Sequence, residues 1–244
     1  MNQFLAEYLG TLIMILLGNG VVANVILQGT KGNGSGWIVI TTGWALAVFC
    51  GVVIAGPYSG AHLNPIVTLA LAIAGKFDWN LFPCFFAAQL LGATSGAFLV
   101  WFLYKDHFDK TEDEATRAAC FYTAPAIENK GRNLFNEIIG TFVLIFVIFH
   151  FTGAEIKSPD IIPVGLGSLG ALPVAFLVWG IGLSLGGTTG YAINPVRDLG
   201  PRIAYFIING FKLQYFRAAY SWIPILGPVI GSLMAAYFYV LISG

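Results

Sequence analysis

Glu7 and Glu137 are each the sole carboxylate of a long apolar run, and Arg197 and Asp198 directly follow Asn194-Pro195-Val196 in another apolar segment. An isolated carboxylate in such surroundings either relays protons or accepts hydrogen bonds from groups that it holds in place. An arginine there either binds an anion or donates hydrogen bonds to a neutral polar ligand. Asn64-Pro65 and Asn194-Pro195 form a second pair. Asparagine is among the best helix N-caps, and proline at the first helical position gives up no N–H that the helix needs. Each dipeptide therefore opens a helix and sets an amide at its positive end, where it can donate to an oxygen.

The elements that carry these residues follow from composition. Of 244 residues, 57% are hydrophobic, 15% aromatic and 10% charged, with 12 basic and 12 acidic side chains. Soluble domains carry about 25% charged residues. Eleven of the charges, five basic and six acidic, fall between Lys105 and Arg132, so the rest of the chain is nearly bare of charge. This excludes a soluble enzyme, and it excludes a nucleic-acid binder, which needs a basic face. Lipid must be the solvent for most of the surface. Cys50, Cys84 and Cys120 are odd in number and lack metal-ligand spacing, so neither a disulfide framework nor a metal site is expected. No cofactor is implied either. Gly165-Leu-Gly167-Ser-Leu-Gly170 matches a dinucleotide fingerprint in form only, without a βαβ context, and close helix packing is the expected reason for it. The Gly92/Gly96 and Gly227/Gly231 pairs likewise predict close helix contacts. His62 is expected to be a hydrogen-bonding loop residue rather than a metal ligand.

Six runs reach the roughly 20 apolar residues that a spanning helix needs: Phe4–Leu27, Gly36–Ala55, Asn80–Leu103, Leu134–Phe151, Val164–Leu185 and Ala219–Ile242. The first is expected to be a retained helix, not a cleaved leader. Asn64–Ala74 and Asn194–Ile208 are too short to cross and follow glycine-rich, irregular approaches. Irregular backbone at membrane depth is tolerated only when it is buried in protein or lines a watery cavity, so a hole through the protein is expected. Glu7-x-x-Gly10-Thr11 recurs as Glu137-x-x-Gly140-Thr141, and Gly60-x-x-x-Asn64-Pro65 as Gly190-x-x-x-Asn194-Pro195, both at an offset of 130 residues. Three spans per half is an odd number, so the second half must insert upside down. The expected fold is an all-α membrane protein with six transmembrane helices, two re-entrant half-helices and an inverted 3+3 repeat. It forms one channel domain over 1–244, with a first repeat at 1–104, a solvated connecting loop at 105–132 and a second repeat at 133–244.

Half-helices entering from opposite faces would bring Asn64 and Asn194 together at the bilayer centre. Both positive helix ends would then point inward, repelling protons and cations while neutral solutes pass. Backbone carbonyls of the approaches (Ala61, His62 and Leu63, with Gly190, Tyr191 and Ala192) would supply acceptors along the path.

These residues and spacings resemble the aquaporin family, specifically its aquaglyceroporin or glycerol-facilitator branch, over essentially the whole chain. The resemblance implies passive conduction of glycerol, water and other small uncharged solutes by a homotetramer embedded in lipid, in a bacterial inner membrane, with no nucleic-acid partner and no enzymatic activity. It identifies Asn64 and Asn194 with the pore asparagines, and Trp44, Gly182, Tyr191 and Arg197 with the narrow selectivity filter.

 Asp198 is the branch's mark beside that arginine, and Glu7 and Glu137 are identified as the carboxylates that support the loops. Three departures stand out. Ile66 and Val196 replace the usual alanines after Asn-Pro, which bears on central pore width. Tyr191 replaces a phenylalanine, and its hydroxyl would suit a more polar solute such as undissociated lactic acid.

Two other readings compete. A proton-coupled secondary transporter would use Glu7 or Glu137 as its proton carrier. An intramembrane enzyme would need a nucleophile–base pair that the spans do not offer. With the N-terminus cytoplasmic, as the resemblance implies, Lys76 and Lys157 alone among the Lys and Arg residues lie inside. The positive-inside rule points the other way, and the resemblance is given precedence.

Overall fold

The computed structural model describes residues 1–157 and 161–243, apart from the side chains of Lys157, Ile161 and Pro163. The Lys157 side chain, which entered the orientation count, therefore lies outside the described residues. In chain order the elements are α1 (Gln3–Ile26), α2 (Trp37–Ser59), α3 (Pro65–Ile73), α4 (Phe82–Leu103), α5 (Lys105–Lys110), α6 (Glu114–Ala119), α7 (Lys130–Phe149), β1 (Ala154–Lys157), β2 (Ile161–Val164), α8 (Leu172–Ser184), α9 (Pro195–Ile208), α10 (Ala218–Ser221) and α11 (Ile223–Ser243). Six helical stretches among the described residues are long and apolar enough to cross a membrane. The protein is a multi-pass membrane protein.

Packing follows the repeat. In the first half α1 lies against α2 and α4, and in the second α7 lies against α11 and α8. The half-helices cross over: α3 packs on α11 and α9 on α4, so each half completes the other. Glycines set the closest approaches. A Cβ at Gly92 or Gly96 would lie 2.4 or 2.6 Å from the Tyr8 or Leu12 carbonyl oxygen of α1, and one at Gly231 would lie 2.3 Å from the Ile138 oxygen of α7. No side chain fits at such distances, as the paired glycines predict.

The structure differs from the sequence reading at three places. The fifth span does not begin at Val164. Residues 161–164 instead pair antiparallel with 154–157, Ala154 opposite Val164, so the chain carries a small hairpin beside its helices. Ile156, Ile162 and Val164 are β-branched and suit extended backbone. Gly165 and Gly167 then delay the helix, Gly167 lying at φ +53°. These glycines also correct the expectation of close helix packing, because a Cβ on Gly165 or Gly167 would meet nothing within 4 Å. The third difference is the connecting segment, which folds instead of forming a solvated loop. Besides α5 and α6 it buries Cys120, Phe121, Tyr122 and Thr123, each at most 4% exposed. The Asn19 amide donates to the Phe121 carbonyl at 3.2 Å, and the Gln28 N–H donates to the Thr111 hydroxyl at 2.9 Å.

Candidate functional site: a cavity between two half-helices

Each half-helix is approached by backbone that side chains alone would not choose. Ala61 and Leu63 lie at φ +52° and +51°, and Tyr191 and Ile193 at +37° and +43°. Left-handed backbone is disfavoured for residues with a Cβ, above all for a β-branched one such as Ile193. Two buried carboxylates hold these turns. Glu7 accepts from the Ser59 hydroxyl at 2.6 Å, the His62 N–H at 2.9 Å, the Leu63 N–H at 2.7 Å and the Gln89 amide at 2.8 Å. Glu137 accepts from the Thr189 hydroxyl at 2.6 Å and from the Ala192 and Ile193 N–H groups at 3.1 and 3.0 Å. Both oxygens of each carboxylate are engaged as acceptors, facing the loops.

The strained turns deliver Asn64 and Asn194 to the same depth. Each side-chain oxygen caps its own helix: Asn64 Oδ1 accepts from the Ile66 N–H at 3.0 Å, and Asn194 Oδ1 from the Val196 N–H at 3.1 Å. Each amide reaches across to the other half. Asn64 donates to the Ile193 carbonyl and Asn194 to the Leu63 carbonyl, both at 2.9 Å. An amide has two donor hydrogens, so each asparagine keeps one beyond the cross-bond. The two helix N-termini thus converge on one point with their partial positive charges.

A cavity of about 70 Å³ runs past this point. Asn64, Asn194 and Arg197 are its polar side chains together with Tyr191, and Val48, Val67, Leu144, Ile148, Val174 and Val178 form much of the rest. Ile66 and Val196 are absent from its lining and buried, at 3% and 0% exposure. Ile66 packs with Ile145 and Phe149 in the helix core, so the larger residues after Asn-Pro fill space between helices and leave the cavity alone.

Arg197 sits at one end. Its guanidinium carbon lies 4.2 Å from the centroid of the Trp44 ring, while its Nη1 is buried without a hydrogen-bond partner. The Tyr191 hydroxyl is likewise buried without a partner. Gly182 does not line the cavity. A Cβ there would come within 2.9 Å of the Tyr191 ring, so the glycine leaves room for that ring. Gly18 does the same for Trp44, at 2.4 Å.

Behind Arg197 lies a buried ion pair. Asp198 accepts from the Arg202 Nε at 2.8 Å and from the Thr123 N–H and hydroxyl at 2.8 and 2.7 Å. Arg202 is 0% exposed; it also donates to the Phe216 carbonyl at 2.9 Å and lies 3.9 Å over the Tyr122 ring. Burial pushes the Tyr122 phenol up to about 12, which keeps it neutral beneath the guanidinium. The folded connecting segment is thereby tied to the helix that carries Arg197.

The structure brings Asn64, Asn194, Trp44, Tyr191 and Arg197 to one cavity, along with Leu63 and Ala192 of the expected carbonyl set. Ala61, His62 and Gly190 are not in its lining. His62 turns aside to Thr68 at 3.0 Å and to the rings of Phe77 and Phe85. Leu63 offers a carbonyl that Asn194 already occupies. Four contributors escaped the sequence reading. Ser59 and Thr189 stand 130 residues apart, so the repeat offset could have found them. Arg202 stands four residues after Asp198, an ion-pair spacing on a helix. Trp37 donates to the Gly182 carbonyl at 3.0 Å and meets Tyr191 edge-on, and no sequence pattern marks it.

The family described as Major intrinsic protein matches residues 1–239. The chain is 49% identical over 239 residues to a protein of Thermotoga maritima named "Probable glycerol uptake facilitator protein", covering 98% of each chain. It is 38% identical over 245 residues to a "D/L-lactic acid transporter" of Lactiplantibacillus plantarum, covering 97% of this chain and 96% of that one. The X-ray structure of the aquaglyceroporin from Plasmodium falciparum superimposes with a TM-score of 0.82 at 33% identity, covering 97% of this chain and 94% of the other.

Proposed function

The chain belongs to the major intrinsic protein family, and on that premise we propose that it is a passive channel of the bacterial plasma membrane for glycerol and other small uncharged solutes. The observation that carries this reading is the reciprocal pair of asparagine bonds inside a cavity walled by apolar side chains. A polyol presents a carbon edge and a hydroxyl edge. The carbons slide along the valine and leucine wall and the ring of Trp44. The hydroxyls take donors in sequence from Arg197 Nη1 and the free amide hydrogens of Asn64 and Asn194. Trp44, Tyr191, Gly182 and Arg197 form the filter in this reading, Gly182 by making room. The converging helix ends and the fixed guanidinium repel protons and other cations. Glu7 and Glu137 are loop supports: with both oxygens of each engaged, neither presents a free position to the cavity, which argues against the proton-coupled transporter. Asp198 steadies the helix behind Arg197. The repeats at 1–104 and 133–244 act as one channel domain, assembled in lipid as a homotetramer with one passage per subunit.

Water shares this path. Undissociated lactic acid is a further permeant, supported by the unpartnered Tyr191 hydroxyl and by the lactic acid transporter among the relatives. Lactic acid uptake into proteoliposomes should therefore rise as pH falls toward the acid's pKa. Tyr191→Phe should lower lactic acid permeation relative to glycerol, measured by stopped-flow light scattering across pH. Uptake that does not rise at low pH excludes lactic acid, and an unchanged solute ranking reduces Tyr191 to packing.

A further inference from the structure

A second cavity, of about 290 Å³, opens where α4 leaves the apolar zone. It lies apart from the asparagine pair, between the end of α4, the connecting segment and the last turn of α9, and it includes Trp101, Lys105, Asp109, Arg117, Tyr205 and Asn209 in its lining. Part of its polar chemistry is unspent. Arg117 Nε is buried without a hydrogen-bond partner. Tyr205 is 3% exposed and lines the cavity, yet among the described residues its hydroxyl makes no hydrogen bond. Asn209 uses its amide on the Tyr205 carbonyl at 2.8 Å, leaving its oxygen and one hydrogen. Lys105 pairs with Asp109 and lies 5.8 Å from the Trp101 ring centroid. Lys105 and Arg117 are the two cations of the lining and Asp109 is its carboxylate. Two acids stand close by outside the lining: Asp113, which caps α6 through the Thr116 hydroxyl and N–H at 2.6 and 2.8 Å, and Glu114 in the first turn of α6.

We infer that this cavity holds the phosphodiester headgroup of an anionic lipid. Arg117 and Lys105 match a phosphate, the arginine through its planar fork, and the Tyr205 hydroxyl supplies a neutral donor. The position selects lipid over free phosphate. Phe102 and Leu103, 75% and 66% exposed, stand three and two residues before Lys105, so the cavity lies where acyl chains end and headgroups begin. Tryptophan and lysine are the side chains that mark this level.

The test is thermal unfolding of the full chain in detergent, with added phosphatidylglycerol, phosphatidylcholine or inorganic phosphate, alongside native mass spectrometry of bound lipid. Phosphatidylglycerol should raise the midpoint and stay bound, and phosphatidylcholine should do so less. Inorganic phosphate should have no effect. Arg117→Gln should weaken phosphatidylglycerol about tenfold, the loss expected for one charge-assisted contact, with glycerol flux in neutral lipid unchanged. Tyr205→Phe, which keeps the ring, should weaken it less and serves if Arg117→Gln does not fold. Equal phosphatidylglycerol binding by wild type and the variant tested overturns the site. A midpoint shift with inorganic phosphate equal to that with phosphatidylglycerol overturns the lipid assignment in favour of free phosphate.

Discussion

Replacing Glu137 with Gln is expected to abolish glycerol conduction while the chain still inserts in the membrane. Glu137 receives three donors, two of them backbone N–H groups of the turn that contains Tyr191 and Ile193. A glutamine has one acceptor oxygen and one NH2 group in the same space. Whichever way it lies, a donor faces a donor and a buried N–H or hydroxyl goes unpaired, at a cost of about 1–3 kcal/mol. The turn is already strained, because left-handed backbone at Tyr191 and Ile193 costs about 1–3 kcal/mol each. Relaxing it moves two things at once. The Ile193 carbonyl is the partner of Asn64, and Tyr191 lines the cavity with Arg197. Stopped-flow light scattering on proteoliposomes, with thermal unfolding of the same sample, separates lost function from lost fold. Wild-type flux in Glu137→Gln would mean that the carboxylate does not hold the loop.

The second large effect belongs to the buried ion pair. Arg202→Met leaves the Asp198 carboxylate, 1% exposed, with its Thr123 donors but without its ion-pair partner. Breaking a buried pair from one side costs about 3–5 kcal/mol, whereas replacing both partners with well-packed neutral groups is often nearly neutral. The thermal midpoint of Arg202→Met should therefore fall steeply, and adding Asp198→Asn should recover part of the loss. The segment near Thr123 should also loosen, since Arg202 holds the Phe216 and Thr123 carbonyls. A single variant as stable as wild type would show that the pair contributes no net stability.

Much of this architecture was legible in the chain because lipid imposes simple rules. Every span had to be apolar for about 20 residues, and the Asn-Pro starts, too short to cross, had to end in a cavity. The repeat offset pairs Glu7 with Glu137 and Asn64 with Asn194. What stayed hidden lies where those rules lapse. Val164 reads as the start of a span by hydropathy, yet residues 161–164 pair as a strand with 154–157 ahead of it. The charged stretch before Arg132 reads as solvated, but its Cys120–Thr123 segment is buried by tertiary contacts that have no periodicity to betray them. Arg202 was lost among the charges flanking the spans, although it is fully buried. Trp37 takes its place at Gly182 through a contact 145 residues apart in sequence.

The most direct measurement is glycerol flux into proteoliposomes, taken as a function of glycerol concentration, temperature and an imposed proton gradient. A passive channel predicts flux that rises linearly with concentration, has a low activation energy and ignores the gradient. Flux that saturates and follows the proton gradient would contradict it and would return Glu7 and Glu137 to the role of proton carriers.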